Sequence, residues 1–139
     1  MPNEAAFVDA NIFIDIARKR EGWSSSAAAL ARVKKKNGFV SALTVAIVYF
    51  IKLRSMSTQR ARQETQELIH GLRVAPVTEE TIDAAFAASN IEDFEDAIQF
   101  HCAKAVARVL VTRNKRHYTS AQNELEISTP EEFLNKYPD

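Results

Sequence analysis

The chain has 139 residues, 46% of them hydrophobic, with 18 Lys and Arg against 18 Asp and Glu, a formal net charge of zero. That length buries roughly two-thirds of the unfolded surface without outside staples, so a single domain over residues 1–139 is expected. The charge balance excludes a constitutive, charge-driven DNA coat protein, the lone Cys102 excludes an internal disulfide, and the longest apolar stretch, Phe39 to Leu53, is too short and too interrupted to span a membrane.

The opening Met1-Pro2-Asn3-Glu4 lacks the basic and apolar regions of a secretory signal, so a cytoplasmic location is expected. Ala5 to Val8 is an apolar strand that runs into Asp9, and Asn11 offers a cap for a short helix from Ile12 to about Arg18. Ser24 is a candidate N-cap for a helix through Lys36, whose lysines suit the negative end of its dipole. Phe39 to Ala42 is a second strand, and Thr44 opens a strongly apolar helix to about Arg54. An amphipathic helix from Gln59 to His70 stops at Gly71, and Leu72 to Pro76 forms a third strand.

Thr78 caps a helix to about Ser89, and the next helix begins near Asp93. In it Phe94, Ala97, Ile98, His101, Cys102 and Ala105 recur at helical spacing and define a core-facing side. Glu92 and Glu95 are expected to face solvent. Ala107 to Thr112 is a fourth strand that meets the polar Arg113-Asn114-Lys115-Arg116-His117, and Glu126 to Ser128 is a short fifth. Thr129-Pro130-Glu131-Glu132 carries the pattern of a capping box with proline in the first turn. This alternation of strands and helices predicts a three-layer α/β/α sandwich around a mainly parallel sheet.

Asp93 and Asp96 lie one helical turn apart on one face. Asp93 alone reads as an N-cap and Asp96 as a first-turn acid favoured by the dipole. Asp9, at the carboxyl end of the first strand, stands where open α/β sheets collect ligands. Two carboxylates about 4 Å apart repel by something like 4 kcal/mol at an effective dielectric of 20, so a convergence of these acids calls for a cation. Hard oxygen donors select Mg²⁺ or Mn²⁺, and no Cys/His spacing suits zinc. A carboxylate-held ion beside basic residues points to phosphodiester hydrolysis, with Arg113 and Lys115 placed to hold a nucleic-acid backbone. A phosphotransferase with Asp9 as covalent nucleophile is disfavoured, because Asp9-Ala10-Asn11 lacks a second aspartate two residues on.

Five pieces in order resemble the PIN domain, a family of small Mg²⁺/Mn²⁺-dependent ribonucleases that includes many bacterial toxins of toxin–antitoxin pairs. They are Val8-Asp9-Ala10-Asn11, Ser41-Ala42-Leu43-Thr44-Val45-Ala46, Asp93-Phe94-Glu95-Asp96-Ala97, Val111-Thr112-Arg113-Asn114 with Tyr118, and the closing Ser128 to Leu134. The resemblance implies a metal site of Asp9 and Asp96 with Asp93 as accessory, and Asn114 positioning water or phosphate. Arg113, Lys115, Asn11 and Thr112 would serve RNA. It also implies a cognate antitoxin whose tail blocks the pocket, and a homodimer, with Val45 to Leu53 and Phe86 to Ala88 as candidate contacts.

The chain departs from the family pattern at Ile47, where a glutamate is usual on the helix after the second strand. It departs again at His117, where an aspartate often precedes the aromatic residue, and at the neutral Asn114. These departures define the alternative reading, a PIN-like module that binds RNA or protein without cutting.

Overall fold

The computed structural model describes residues 5–138. The reading of Met1 to Glu4 lies outside these residues. Five strands, β1 (Ala6–Val8), β2 (Gly38–Ser41), β3 (Arg73–Ala75), β4 (Val109–Val111) and β5 (Glu126–Ser128), form one sheet in the order β3-β2-β1-β4-β5. All four pairings are parallel. Helices α1 (Ala10–Arg18), α2 (Trp23–Lys35), α3 (Ala42–Lys52), α4 (Thr58–Ile69), α5 (Glu79–Ala87), α6 (Phe94–Val106) and α7 (Pro130–Lys136) complete the α/β/α sandwich, with a 3₁₀ helix over Lys115–Ala121.

Alternation along the strands feeds two apolar cores. Phe7 and Leu110 pack against Phe100, Ala103 and Tyr118 on one face, while Ala6, Val8 and Val40 pack against Phe13, Val33 and Phe133 on the other. A sheet covered on both sides has no polar face, which is why the strands read as continuous apolar runs. No helix among the described residues is long and apolar enough to cross a membrane.

The caps correct several expected boundaries. Asp9, not Asn11, caps α1, accepting a hydrogen bond from the Ala10 amide at 2.7 Å. Gly22, at φ 83, precedes α2 without a side-chain cap, so Ser24 falls inside that helix. Ser41 rather than Thr44 caps α3, its hydroxyl accepting from the Thr44 amide at 3.0 Å, and Ser57 caps α4. Thr78 caps α5, and Thr129 with Glu132 closes the capping box of α7, as their spacing indicates. On α6 the expected core face is corrected at both ends, since Phe94 and Ala105 are exposed.

Beyond β1 the chain moves outward to β2 and β3 on one side, and β4 and β5 extend the sheet on the other. The order reverses between β1 and β4, and a crevice opens beyond their carboxyl ends at such a switch point. Asp9 and Thr112 are the residues that leave those two strands there.

Candidate active site

Asp9 is held in that crevice by more than its helix. Its Oδ1 accepts from the Ala10 amide, and its Oδ2 accepts from the hydroxyls of Thr112 and Tyr118, both at 2.9 Å, and from Asn11 Nδ2 at 3.3 Å. The side chain is almost wholly buried, and burial raises its pKa from 3.8 to about 6, with the Thr112 and Tyr118 hydroxyls opposing the rise. Oδ1, with one partner, keeps a lone pair open; Oδ2 is crowded.

Asp96, in the first turn of α6, reaches the same hydroxyl: Tyr118 Oη lies 3.3 Å from its Oδ1. His117 Nδ1 sits 3.0 Å from its Oδ2. A carboxylate can only accept, so Nδ1 carries the proton in this contact. Burial is the main cause lifting the Asp96 pKa, the charge of Asp93 adds to it, and the His117 contact opposes it. Asp93 caps α6, its Oδ1 accepting from the Asp96 amide at 2.9 Å, and remains exposed at the rim. Both expected roles of Asp93 are thus compatible: one oxygen is spent on the cap, and the residue lines the pocket that contains Asp9 and Asp96.

That pocket, about 260 Å³, also takes in Glu95, Asn114, His117 and Arg20. Glu95 is exposed, as expected, and stands at the rim of this pocket. Its pKa is raised by desolvation first and then by the charges of Asp9, Asp93 and Asp96. First-turn residues ring the open amino end of a helix, whichever face they occupy further along, so a solvent-facing side chain can also line the pocket. Arg20, just past α1, brings to the rim a cation that no motif in the sequence marks out.

The loop after β4 is organised around Asp9. Thr112 donates to Asp9 and accepts from Asn11 Nδ2 at 3.0 Å and from the Asn114 amide at 3.1 Å, so its hydroxyl is fully used. Asn11 Oδ1 accepts from the Arg113 amide at 3.0 Å, cross-linking the two switch-point turns. Thr112 and Asn11, expected at RNA, are therefore first of all positioning residues.

Arg113, expected at RNA, is engaged within the fold. Its Nε donates to Asp15 Oδ2 and Ser26 Oγ at 3.1 Å, its Nη1 to both oxygens of Glu131 at 2.8 and 3.0 Å, and its Nη2 to the Gly22 carbonyl. A guanidinium engaged in this way pins α1, α2 and α7 together and has few donors left to offer a phosphate. Lys115 pairs with Glu132 at 3.0 Å at a partly exposed position.

The donor set fits a hard dication in kind: desolvated carboxylates, an open oxygen on Asp9, and pKa values raised by burial first and by the neighbouring carboxylates. It does not enclose one by itself. Among the described residues no group of three or more His, Cys, Asp or Glu side chains is arranged to hold an ion. Ile47, part-buried on α3, adds no donor. An ion held here would rest on Asp9 and Asp96 and draw its remaining ligands from water or substrate oxygens.

Solved structures with this fold include VapBC2 from Rickettsia felis bound to a DNA fragment from the promoter, with a TM-score of 0.71 at 14% identity, covering 90% of this chain and 98% of that one. A toxin–antitoxin complex from Klebsiella pneumoniae matches with a TM-score of 0.69 at 19% identity, over 90% of this chain and 97% of that one. The Mycobacterium tuberculosis toxin VapC20, described as cleaving the sarcin-ricin loop, matches at 0.63 and 16% identity, over 84% of this chain and 95% of that one. No curated protein matches the chain. A model of the PIN domain matches residues 5–116, and with the switch-point acids in place the chain belongs to the PIN domain family.

Proposed function

We propose that the protein is a toxin-type endoribonuclease that cuts RNA phosphodiester bonds with the help of Mg²⁺ or Mn²⁺. The observation that carries this reading is the meeting of Asp9 and Asp96 on the Tyr118 hydroxyl, from elements distant in sequence, inside an acidic pocket at the switch point. A purely structural arrangement would not gather buried acids whose charges oppose one another, because each loses solvation without gaining a counter-charge. A dication supplies that charge, activates water and steadies the phosphoryl oxygens when bound.

In this reading Asp9 and Asp96 are the ion's protein ligands and Asp93 stands beside them at the rim. Thr112 and Asn11 fix the Asp9 rotamer. Asn114 lines the pocket with a neutral side chain able both to donate and to accept, suited to orienting water or a phosphate oxygen. Lys115 and Arg20 supply positive charge for the RNA backbone.

The toxin part of the proposal draws on the family and on the toxin–antitoxin complexes among its structural neighbours. An apolar groove of about 550 Å³ between α3 and α4, lined by Val45, Tyr49 and Ile69, would receive an antitoxin segment. Homodimerisation and a cytoplasmic site of action belong to the same proposal.

The test is cleavage of RNA with Mg²⁺ or Mn²⁺ by the wild type and by Asp9→Asn. Metal-dependent cleavage lost in the variant is the expected result; equal cleavage by both overturns the assignment. The His117 contact with Asp96, at 3.0 Å, favours a second reading, in which the imidazole N–H occupies an oxygen a metal would need and the domain binds RNA or protein without cutting. That reading expects RNA binding with no metal-dependent cleavage and no metal-binding heat in calorimetry.

A further inference from the structure

Beside the acidic pocket lies a larger cavity of about 770 Å³. The two share a wall made of Asp93, Asp96 and His117. The larger one is closed on another side by Phe94, the first residue of α6, and carries Arg116 from the 3₁₀ helix.

Phe94 does not belong to the core. It is 42% exposed and stacks on Phe86, itself 72% exposed, with ring centroids 4.6 Å apart and planes 30° from parallel. Two exposed phenylalanines held ring on ring beside a polar cavity forgo burial that either apolar core would have provided. Phe86 at the end of α5 backs the Phe94 ring and stiffens it, and the remaining surface of Phe94 is left as a wall of the cavity. A flat, pre-ordered aromatic wall is the surface on which an unpaired base stacks, because every base has a π-face.

We propose that the Phe86–Phe94 stack is a base-stacking subsite of the RNA-binding surface, holding an unpaired nucleobase next to the nucleotide whose phosphate enters the acidic pocket. The shared wall sets the adjacency: a chain with its phosphate at Asp9 and Asp96 passes into the larger cavity over Asp96 and His117. The charges set the orientation. Glu92 and Asp93 on the cavity wall repel phosphates and tolerate a neutral base, while Arg116 attracts the backbone. Stacking is indifferent to base identity, so the subsite selects single-stranded RNA over duplex and leaves sequence choice to other contacts.

The inference rests on RNA being the substrate, as proposed above, and its test reads binding without metal. Short single-stranded RNA carrying 2-aminopurine is titrated in chelator with the wild type, Phe94→Leu, Phe86→Leu and Phe94→Tyr. Stacking quenches the 2-aminopurine emission. Leucine keeps apolar volume and helix propensity but has no ring; tyrosine keeps the ring.

Quenching by the wild type and by Phe94→Tyr is expected, with Phe94→Leu losing the quench and binding about 5- to 100-fold more weakly. Phe86→Leu, which removes only the backing ring, is expected to lie between them. Equal binding and quenching by Phe94→Leu and the wild type overturn the subsite. So does a drop in sedimenting mass in the leucine variants with RNA binding unchanged, which would assign the rings to a protein contact. If Phe94→Leu binds as tightly as the wild type while Asp9→Asn abolishes cleavage, the subsite falls and the nuclease stands. If the wild type binds no RNA in chelator, the subsite falls, and cleavage with Mn²⁺ still decides the nuclease. Quenching without cleavage keeps the subsite and removes the nuclease.

Discussion

Tyr118 donates its hydroxyl proton to Asp9 Oδ2 at 2.9 Å from a ring that is fully buried against Phe100. The hydroxyl has one proton, and Asp96 at 3.3 Å competes for it, so it serves one of the two acids at a time. Burial and the two neighbouring carboxylates push the tyrosine's own pKa far up, which keeps it a donor at any working pH. Tyr118→Phe therefore leaves two desolvated carboxylates facing a bare ring. Urea unfolding at pH 8 is expected to show a loss of about 1–3 kcal/mol, and a smaller loss at pH 5, where a proton on Asp9 relieves the repulsion. A loss independent of pH would mean that the hydroxyl only packs.

The raised pKa of Asp9 makes the site a source of instability with a definite pH dependence. Between the unfolded value near 3.8 and the folded value of about 6, the folded chain holds a proton that the unfolded chain has released. Stability contributed by that proton is complete below the lower value and lost as pH rises through the upper one, about 3 kcal/mol in all. Asp96 and Glu95, also raised, act in the same direction. Asp9→Asn removes the largest part of this dependence. Relative to the wild type, the variant should gain about 2–3 kcal/mol between pH 4 and pH 8 in chemical denaturation. A constant difference across that range would contradict the assignment of Asp9 as the buried acid. Added Mn²⁺ is expected to raise the wild-type melting temperature more at pH 8 than at pH 5, and to do little for Asp9→Asn.

The architecture was legible because β1, β2 and β4 are buried on both faces and so announce themselves as short apolar runs, and because Thr78 and Thr129 cap their helices at the expected positions. The acids Asp9, Asp93 and Asp96 could be singled out from their places at a strand end and a helix start. Tyr118 could not be placed in the same way. Tyr118 meets Asp9 across 109 residues of chain through a 3₁₀ turn that has no periodic signature. For Arg113, a basic residue past a strand reads as a ligand for phosphate, and nothing in the sequence signals that Asp15, Ser26 and Glu131, from three helices, engage it.

His117 sits where the family often carries an aspartate, and its imidazole holds Asp96 Oδ2 at 3.0 Å. His117→Asp exchanges that contact for a third carboxylate beside Asp9 and Asp96. Ligand charge raises affinity for a hard dication, so calorimetry with Mn²⁺ is expected to show binding about tenfold tighter than the wild type. Without metal the same variant should melt lower at pH 8, because repulsion replaces a hydrogen bond. Tighter metal binding together with faster RNA cleavage would identify His117 as a residue that tempers the site. Unchanged metal affinity would show that position 117 does not reach the ion.

Arg113 is expected to matter for stability and not for RNA. Its side chain is 21% exposed and its partner Asp15 8%, so Arg113→Met strands a nearly buried carboxylate, leaving it Arg20 at 3.9 Å and Ser26 at 3.5 Å. Removing one member of such a pair costs about 3 kcal/mol, and the loss should appear as a lower denaturation midpoint with an unchanged m-value. Arg113→Lys keeps the charge but not the fork that reaches Asp15, Glu131 and the Gly22 carbonyl together, so it should recover less than half of that loss. At a temperature where both variants are folded, RNA affinity should stay within about twofold of the wild type, since most of the guanidinium's donors are engaged within the fold. Lys115→Ala, which removes an ammonium that is partly exposed, should weaken RNA binding and flatten its salt dependence. The reverse pattern, with Arg113 controlling affinity and Lys115 silent, would mean that the ion pairs of Arg113 open when RNA arrives.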